Sequence, residues 1–335
     1  MFSIGAAIIA FVVTALLGKV FIPFLRKVKY GQTIKEIGPS WHKGKQGTPT
    51  MGGIIFIIGI AVALVLALLG YNTFSGSVFP NALAMGKIVG GFFLALMFGV
   101  VGFIDDYIKV VKKQNLGLKA KQKLVLQFAA AALYLLFLHS CGASSATYIP
   151  FIGEIDLGIF YYIIAAIVIV GVVNAVNLTD GIDGLNASVT FFASAAIFII
   201  AAYMRFDGMT IFATSVCGGC LGFLVWNFYP AKTFMGDTGS LFLGGAICGL
   251  LFGIDCPILI LFIGIIYLAE MFSVILQVLY FKATKGKRLF KMSPIHHHFE
   301  MSGWSETKIV SVFSLVTAIG GILAFLCVYF GFARA

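Results

Sequence analysis

Residues 87–107 read KIVGGFFLALMFGVVGFIDDY, an apolar run of membrane-crossing length that closes on two adjacent aspartates, Asp105 and Asp106. A helix rises about 1.5 Å per residue, so roughly 20 apolar residues cross about 30 Å of hydrocarbon. Runs of this kind recur along the 335 residues and predict ten spans: 2–25, 51–70, 87–107, 123–141, 158–176, 187–204, 210–228, 241–255, 257–281 and 308–332. Composition agrees. The chain is 60% hydrophobic and 11% charged, against about 25% charged in a soluble domain. The expected fold is therefore all-α, a polytopic integral membrane protein folded as one domain over residues 1–335. Asp255-Cys256-Pro257 predicts a tight turn between the eighth and ninth spans, and segment 142–157, with Pro150, Gly153, Glu154 and Asp156, predicts a small hairpin. The first run is too long for the apolar core of a cleaved signal and has no basic residue before it, so it counts as a span. No internal repeat supports an inverted-repeat transporter.

Lysine and arginine orient the spans, because basic loops stay cytosolic. Loops 26–50, 108–123 and 282–308 hold six basic residues each, whereas Lys87, Arg205 and Arg334 fall on the other side. Both termini are thus expected outside and the large loops in the cytosol. Trp41, Trp226 and Trp304 lie at the predicted cytosolic boundary, where indoles settle. The net charge of +10 suits anionic membrane lipids or an anionic substrate. The basic residues are scattered among short membrane loops, which argues against nucleic acid. Cys217-Gly-Gly-Cys220 has redox-like spacing but sits in an apolar run, where small residues favour close helix packing.

Against this apolar background, five of the 13 acidic residues fall at the same predicted end of different spans: Asp105, Asp106, Asp180, Asp183 and Asp237. Carboxylates gathering at a membrane face point to a divalent cation handling phosphate. Asp105 and Asp106 stand at a helix C-terminus, where the helix dipole disfavours anions, so a metal or Lys109 must compensate. The run Asn174-Ala-Val-Asn177-Leu-Thr-Asp180-Gly-Ile-Asp183-Gly-Leu-Asn186 combines amides, acids and glycines with room for a ligand, but lacks calcium-loop spacing. The plainer reading makes Asp183 or Asn186 a cap of the sixth span, and Asp237 a cap of the eighth.

Ser293-Pro-Ile-His296-His297-His298-Phe-Glu300 opens with a helix-start signal, so a short surface helix is expected to carry the histidines. Consecutive residues diverge by about 100° on a helix, so phosphate contacts or acid–base work suit the triplet better than one zinc. Glu270, with Ser273 and Gln277 on the same face, forms a polar stripe within the ninth span. It reads either as the border of a lipid groove or as a helix–helix contact.

Five motifs follow in order along the chain: Gly47-Thr-Pro-Thr-Met-Gly-Gly53, Asp105-Asp106, Asn177-Leu-Thr-Asp-Gly-Ile-Asp-Gly184, Phe234-Met-Gly-Asp237 and Pro294-Ile-His-His-His-Phe-Glu300. Together they resemble the phospho-N-acetylmuramoyl-pentapeptide-transferases (the MraY family) of the polyprenyl-phosphate N-acetylhexosamine-1-phosphate transferase superfamily. The acid motifs are superfamily-wide and the histidine context belongs to the MraY branch; Ile182 stands where Leu is frequent. The resemblance implies a multi-pass enzyme of the bacterial plasma membrane, with a cytosolic active site and a homodimeric assembly. Its reaction would join undecaprenyl phosphate to the phosphosugar of UDP-N-acetylmuramoyl-pentapeptide, giving lipid I and UMP with Mg²⁺ as cofactor. By the same resemblance Asp105, Asp106, Asp237 and His296 are catalytic, with Asp237 holding Mg²⁺ and Asp105 and Asp106 beside it. Asp183, Asn227 and Phe234 would meet the nucleotide, Phe234 by stacking on uracil. Lys45, Thr48, Lys121, Asn174, Asn177, Asp180, His297 and His298 complete the implied substrate contacts. A sister transferase using UDP-N-acetylglucosamine, a cation-coupled transporter and a lipid-binding scaffold are the rival readings.

Overall fold

The computed structural model describes residues 2–27, 47–111 and 116–332; Lys45 and Trp41 lie outside them. Ten helices among these residues are long and apolar enough to cross a membrane. In chain order they are α1 (Phe2–Lys27), α2 (Gly53–Phe74), α3 (Ala82–Val111), α4 (Ala120–Ser140), α5 (Ile159–Thr179), α6 (Leu185–Tyr203), α7 (Asp207–Asn227), α8 (Gly236–Gly253), α10 (Ile265–Ala283) and α12 (Glu306–Phe332). Two short helices, α9 (Ile260–Ile263) and α11 (Ile295–Glu300), complete the set. The expected hairpin is present: β1 (Ala146–Ile149) pairs antiparallel with β2 (Gly153–Asp156), Ala146 facing Asp156 and Ile149 facing Gly153.

Small residues set the architecture. Along the α3–α8 seam, a Cβ on Gly102 would fall 2.1 Å from the Asp237 carbonyl oxygen, one on Gly245 2.8 Å from Ala95 Cα, and one on Gly249 2.6 Å from the Gly91 carbonyl oxygen. Backbones this close are what glycine and alanine permit between membrane helices. The seam runs along nearly the whole of α8, from Gly249 to its acidic end, and carries Asp105 and Asp106 up to Asp237. Gly244 brings α5 against α8 at Val173, and Gly218 brings α7 against the Ala7 carbonyl of α1. Helix α8 is consequently buried on nearly every side.

Helix ends differ from the expected spans by a few residues, and three differences have a visible cause or consequence. Helix α3 starts at Ala82 rather than 87, because Asn81 Oδ1 accepts the Ala84 amide at 2.8 Å and caps it. Lys87 thereby lies inside the helix, buried, ion-paired with Asp255 and over the Phe206 ring. Helix α8 begins at Gly236 instead of 241, taking Asp237 into its first turn. The ninth run, expected unbroken over 257–281, splits into a 3-10 turn at Pro257–Leu259, α9 and α10. Pro257 supplies no amide to a preceding turn, and Gly264, between α9 and α10, has non-helical dihedrals.

Candidate active site

Asp105, Asp106 and Asp237 come together: one carboxylate oxygen of each lies within 4.8 Å of the others. Asp105 and Asp106 are each 3% exposed, so their charges need partners. Asp106 gets one from a neighbouring helix. Its carboxylate accepts the amides of Asp237 (3.2 Å) and Thr238 (2.9 Å) and the Thr238 hydroxyl (2.7 Å). It therefore caps the N-terminus of α8, where the dipole favours an anion. The unfavourable end of α3 is offset by the favourable end of α8. Gly236, at φ +70°, leaves room for this; a Cβ there would meet Asp106 Oδ2 at 2.6 Å.

Asp105 accepts the Leu118 amide at 2.9 Å, and Gly117 lets the chain pass, since its Cβ would sit 2.6 Å from the carboxylate. Lys109, one turn on from Asp105, places its Nζ 2.6 Å from Asp105, 3.7 Å from Asp106 and 3.0 Å from Asp237. Lys123 of α4 reaches Asp237 at 2.9 Å. Asn177 Nδ2 donates to Asp237 Oδ1 (2.9 Å) and to Ser240 (2.7 Å), tying the end of α5 to the start of α8. Asp180 follows as the C-cap residue of α5, half-buried. Burial and the charges of Asp237, Asp106 and Asp183 push its carboxyl well above the usual carboxylate range.

The remaining predicted residues surround this centre. Neither Asp183 nor Asn186 caps α6, whose N-cap is Gly184 at φ +77°. Asp183 accepts the Ala231 amide at 2.8 Å and donates its own amide to Glu306 at 3.0 Å. Asn227 accepts the Gly184 amide and donates to the Thr233 carbonyl. These contacts fasten the 180–184 and 228–235 loops together. Phe234 is half-buried; its amide donates to the Pro49 carbonyl and its carbonyl accepts the Gly52 amide, each at 2.8 Å. The 47–53 motif, including half-buried Thr48, is thus laid along the strand of chain leading into α8. Asn174 exchanges amide contacts with Gln127 (2.7 and 3.3 Å) between α5 and α4, one turn below Asn177. Lys121 is exposed on the first turn of α4.

The histidines stand on α11 as expected and take different partners, with the His296 and His297 rings 4.0 Å apart. His297 Nδ1 meets Glu300 at 2.6 Å, and His298 Nδ1 accepts the Lys291 amide at 3.1 Å. His296 turns inward, fully buried, with Nδ1 3.0 Å from Glu270 Oε1. The polar stripe of α10 faces protein rather than a lipid groove. Glu270 grips His296, and Gln277 accepts the Leu289 and Phe290 amides while donating to the Phe290 carbonyl. Lys123, Thr238 and Ser240 are site residues that sequence reasoning missed. The one signal for Lys123 was its place two residues from Lys121, on the other side of the same first turn.

The donor set is hard carboxylate oxygen, which fits Mg²⁺. Asp237 and Asp105 retain accepting capacity beside the lysines, whereas Asp106 is largely committed to α8. The sequence profile described as Glycosyl transferase family 4 matches residues 88–255, which include Asp105, Asp106, Asp180, Asp183 and Asp237, and a phospho-N-acetylmuramoyl-pentapeptide-transferase signature matches residues 45–57. Similar curated proteins include the phospho-N-acetylmuramoyl-pentapeptide-transferase of Listeria monocytogenes serotype 4b (strain CLIP80459), 46% identical over 96% of this chain and 97% of that protein. That of Halalkalibacterium halodurans is 46% identical over 96% and 95%, and that of Desulfitobacterium hafniense 45% over 95% of each. The chain belongs to the phospho-N-acetylmuramoyl-pentapeptide-transferase family. It is a phosphoglycosyl transferase of the multi-pass bacterial membrane type, as its ten apolar helices require. The histidine helix, through His296 beside Gly181, and the 47–53 loop, through Thr50 beside Gly236, border the carboxylate centre.

Proposed function

We propose that the chain transfers phospho-N-acetylmuramoyl-pentapeptide from its UDP-activated form to undecaprenyl phosphate, yielding lipid I and UMP with Mg²⁺. The observation that carries this reading is the junction of α3 and α8, where three carboxylates and two lysines meet at one end of an apolar bundle. A polyprenyl chain is held in the bilayer by about 0.8 kcal/mol per buried CH₂, so the phosphate it carries must react at a membrane face. An oxygen of the lipid phosphate attacks the phosphorus attached to the sugar. The bond from that phosphorus to UMP breaks, and UMP leaves with the electron pair.

Such a transfer depends on positioning and charge neutralisation. Asp237 and Asp105 would hold Mg²⁺, which when bound neutralises diphosphate charge. Asp106 acts on geometry, fixing the start of α8 and hence Asp237. Lys109 and Lys123 bring two ammonium groups to the same place. A phosphomonoester is already largely dianionic near neutral pH, its second pKa being about 6, so Asp105 contributes by position more than by proton removal. Its contacts with Lys109 and Leu118 support that role. Asp183, Asn227 and Phe234 would frame the nucleotide, with Lys45, Thr48, Lys121, Asn174, Asn177, Asp180, His297 and His298 completing the substrate surface. The acidic end is assigned to the cytosol, both termini to the outside, and the assembly to a homodimer with an apolar interface.

The test is UMP release by the purified chain with UDP-N-acetylmuramoyl-pentapeptide, undecaprenyl phosphate and varied Mg²⁺. Release that needs both substrates and stops on chelation is expected. Release with UDP-N-acetylglucosamine instead would assign the sister reaction, and none with either would leave a scaffold. A phosphosugar–enzyme adduct trapped without lipid acceptor would overturn direct attack.

A further inference from the structure

Glu270 and His296 form a closed pair inside the protein, and both side chains are wholly buried. Among the described residues, the contacts of the Glu270 carboxylate are His296 Nδ1 at 3.0 Å and the His296 amide at 3.4 Å; no lysine or arginine reaches it. A net charge left alone at that depth is strongly disfavoured. The pair is therefore neutral as a whole. Neutrality can be written in two ways, as carboxylate with imidazolium or as carboxylic acid donating to Nδ1 of a neutral ring. In both, Nε2 carries a proton.

That Nε2 is buried and has no hydrogen-bond partner. It faces the acidic loop: a Cβ on Gly181 would fall 2.1 Å from it. Gly181 sits between Asp180 and Asp183, so the orphan donor is aimed at the backbone that borders the carboxylate centre. Only glycine leaves room for the ring there. Buried donors almost always find acceptors, and a donor held by a carboxylate from behind is a recurring way to fix a ring for work on a ligand.

We infer that Glu270 is a positioning residue that holds a proton on His296 Nε2 and presents it, past Gly181, to a phosphate oxygen of a substrate. The inference rests on the transferase reading above. The oxygen belongs either to the donor's diphosphate or to the acceptor's phosphate, and the chemistry is the same for both. Reaching it requires the Asp180–Asp183 loop to yield slightly.

The test uses the full chain with Glu270→Gln, His296→Gln and the double variant, measured for UMP release, both Michaelis constants and thermal stability. Glu270→Gln is expected to lower kcat at least tenfold without a matching fall in Tm. The double variant should be no slower than His296→Gln alone, because Glu270 acts through His296. A raised KM for the nucleotide sugar assigns the oxygen to the donor, and one for the lipid assigns it to the acceptor. Effects that multiply in the double variant, or Glu270→Gln at wild-type turnover, would overturn the inference. Should Glu270→Gln fail to fold, the ¹⁵N spectrum of histidine-labelled wild type decides, with His296→Gln identifying the resonance. A protonated Nε2 is expected, and a bare one refutes the idea. Wild-type protein inactive with both substrates would instead sink the transferase reading itself.

Discussion

Asp106 illustrates how a carboxylate on one helix can fix the start of another. Three donors from the first turn of α8 converge on its carboxylate. Asp106→Ala removes a cap, and caps of this kind contribute about 1–2 kcal/mol. We expect a corresponding fall in stability by denaturant titration in detergent, accompanied by loss of turnover as Asp237 loses its mooring. Asp180 behaves in the opposite sense. Its folded-state carboxyl titrates well above its unfolded value of 3.8. The folded chain therefore keeps a proton that the unfolded chain has already released, and stability falls as pH rises from about 3.8 toward the raised value. Asp180→Asn removes this penalty. It should raise Tm at neutral pH and leave it nearly unchanged near pH 4, and an equal rise at both would contradict the assignment. The acids themselves were plain in the sequence, because a carboxylate beside an apolar run has few ordinary explanations. Their partners were not. That Asp106 serves α8, and that Lys123 rather than Lys121 reaches Asp237, depends on the rotation of helices distant in sequence.

At the scale of elements, the α3–α8 seam converts glycine spacing into active-site geometry. Gly102→Ala would press a methyl against the Asp237 carbonyl, forcing the helices apart at the point where the carboxylates meet. Overpacking costs about 1–3 kcal/mol, and the larger effect should fall on turnover, since Asp105 and Asp237 would separate. Gly171→Ala on α5 is the control: nothing lies within 4 Å of its Cβ, so it should leave both activity and stability intact, or add a few tenths of a kcal/mol in helix propensity. Similar losses in the two variants would dismiss the seam. Ten spans, the hairpin and the histidine helix were all readable, from the length of apolar runs, from turn residues and from the Ser293-Pro294 start signal. The break at Gly264 and the early start of α8 were hidden, because hydrophobicity marks the lipid-crossing part of a helix but not its polar first turn. The α10 stripe was visible as polarity, yet its partner was legible only once the chain had folded back, with Glu270 on His296 and Gln277 on the 289–290 backbone.

For the whole molecule, the two ends differ in kind. One gathers Asp105, Asp106, Asp180 and Asp237 with Lys109 and Lys123; the other carries the hairpin, anchored where the Tyr148 amide donates to the Asp255 carbonyl, and the Lys87–Asp255 pair. A transferase that takes a soluble nucleotide from the cytosol requires the first end inside. Basic loops at that end demand the same, since lysine and arginine resist translocation. Both arguments can be tested by labelling. Ile152, 69% exposed at the hairpin turn, and Leu289, 47% exposed before the histidine helix, provide one probe at each end. In a background without the six native cysteines, Ile152→Cys should react with a membrane-impermeant maleimide in intact cells. Leu289→Cys should react only after the membrane is opened. The reverse pattern would place the carboxylates outside, where no nucleotide sugar is supplied, and the proposed reaction could not run in that orientation.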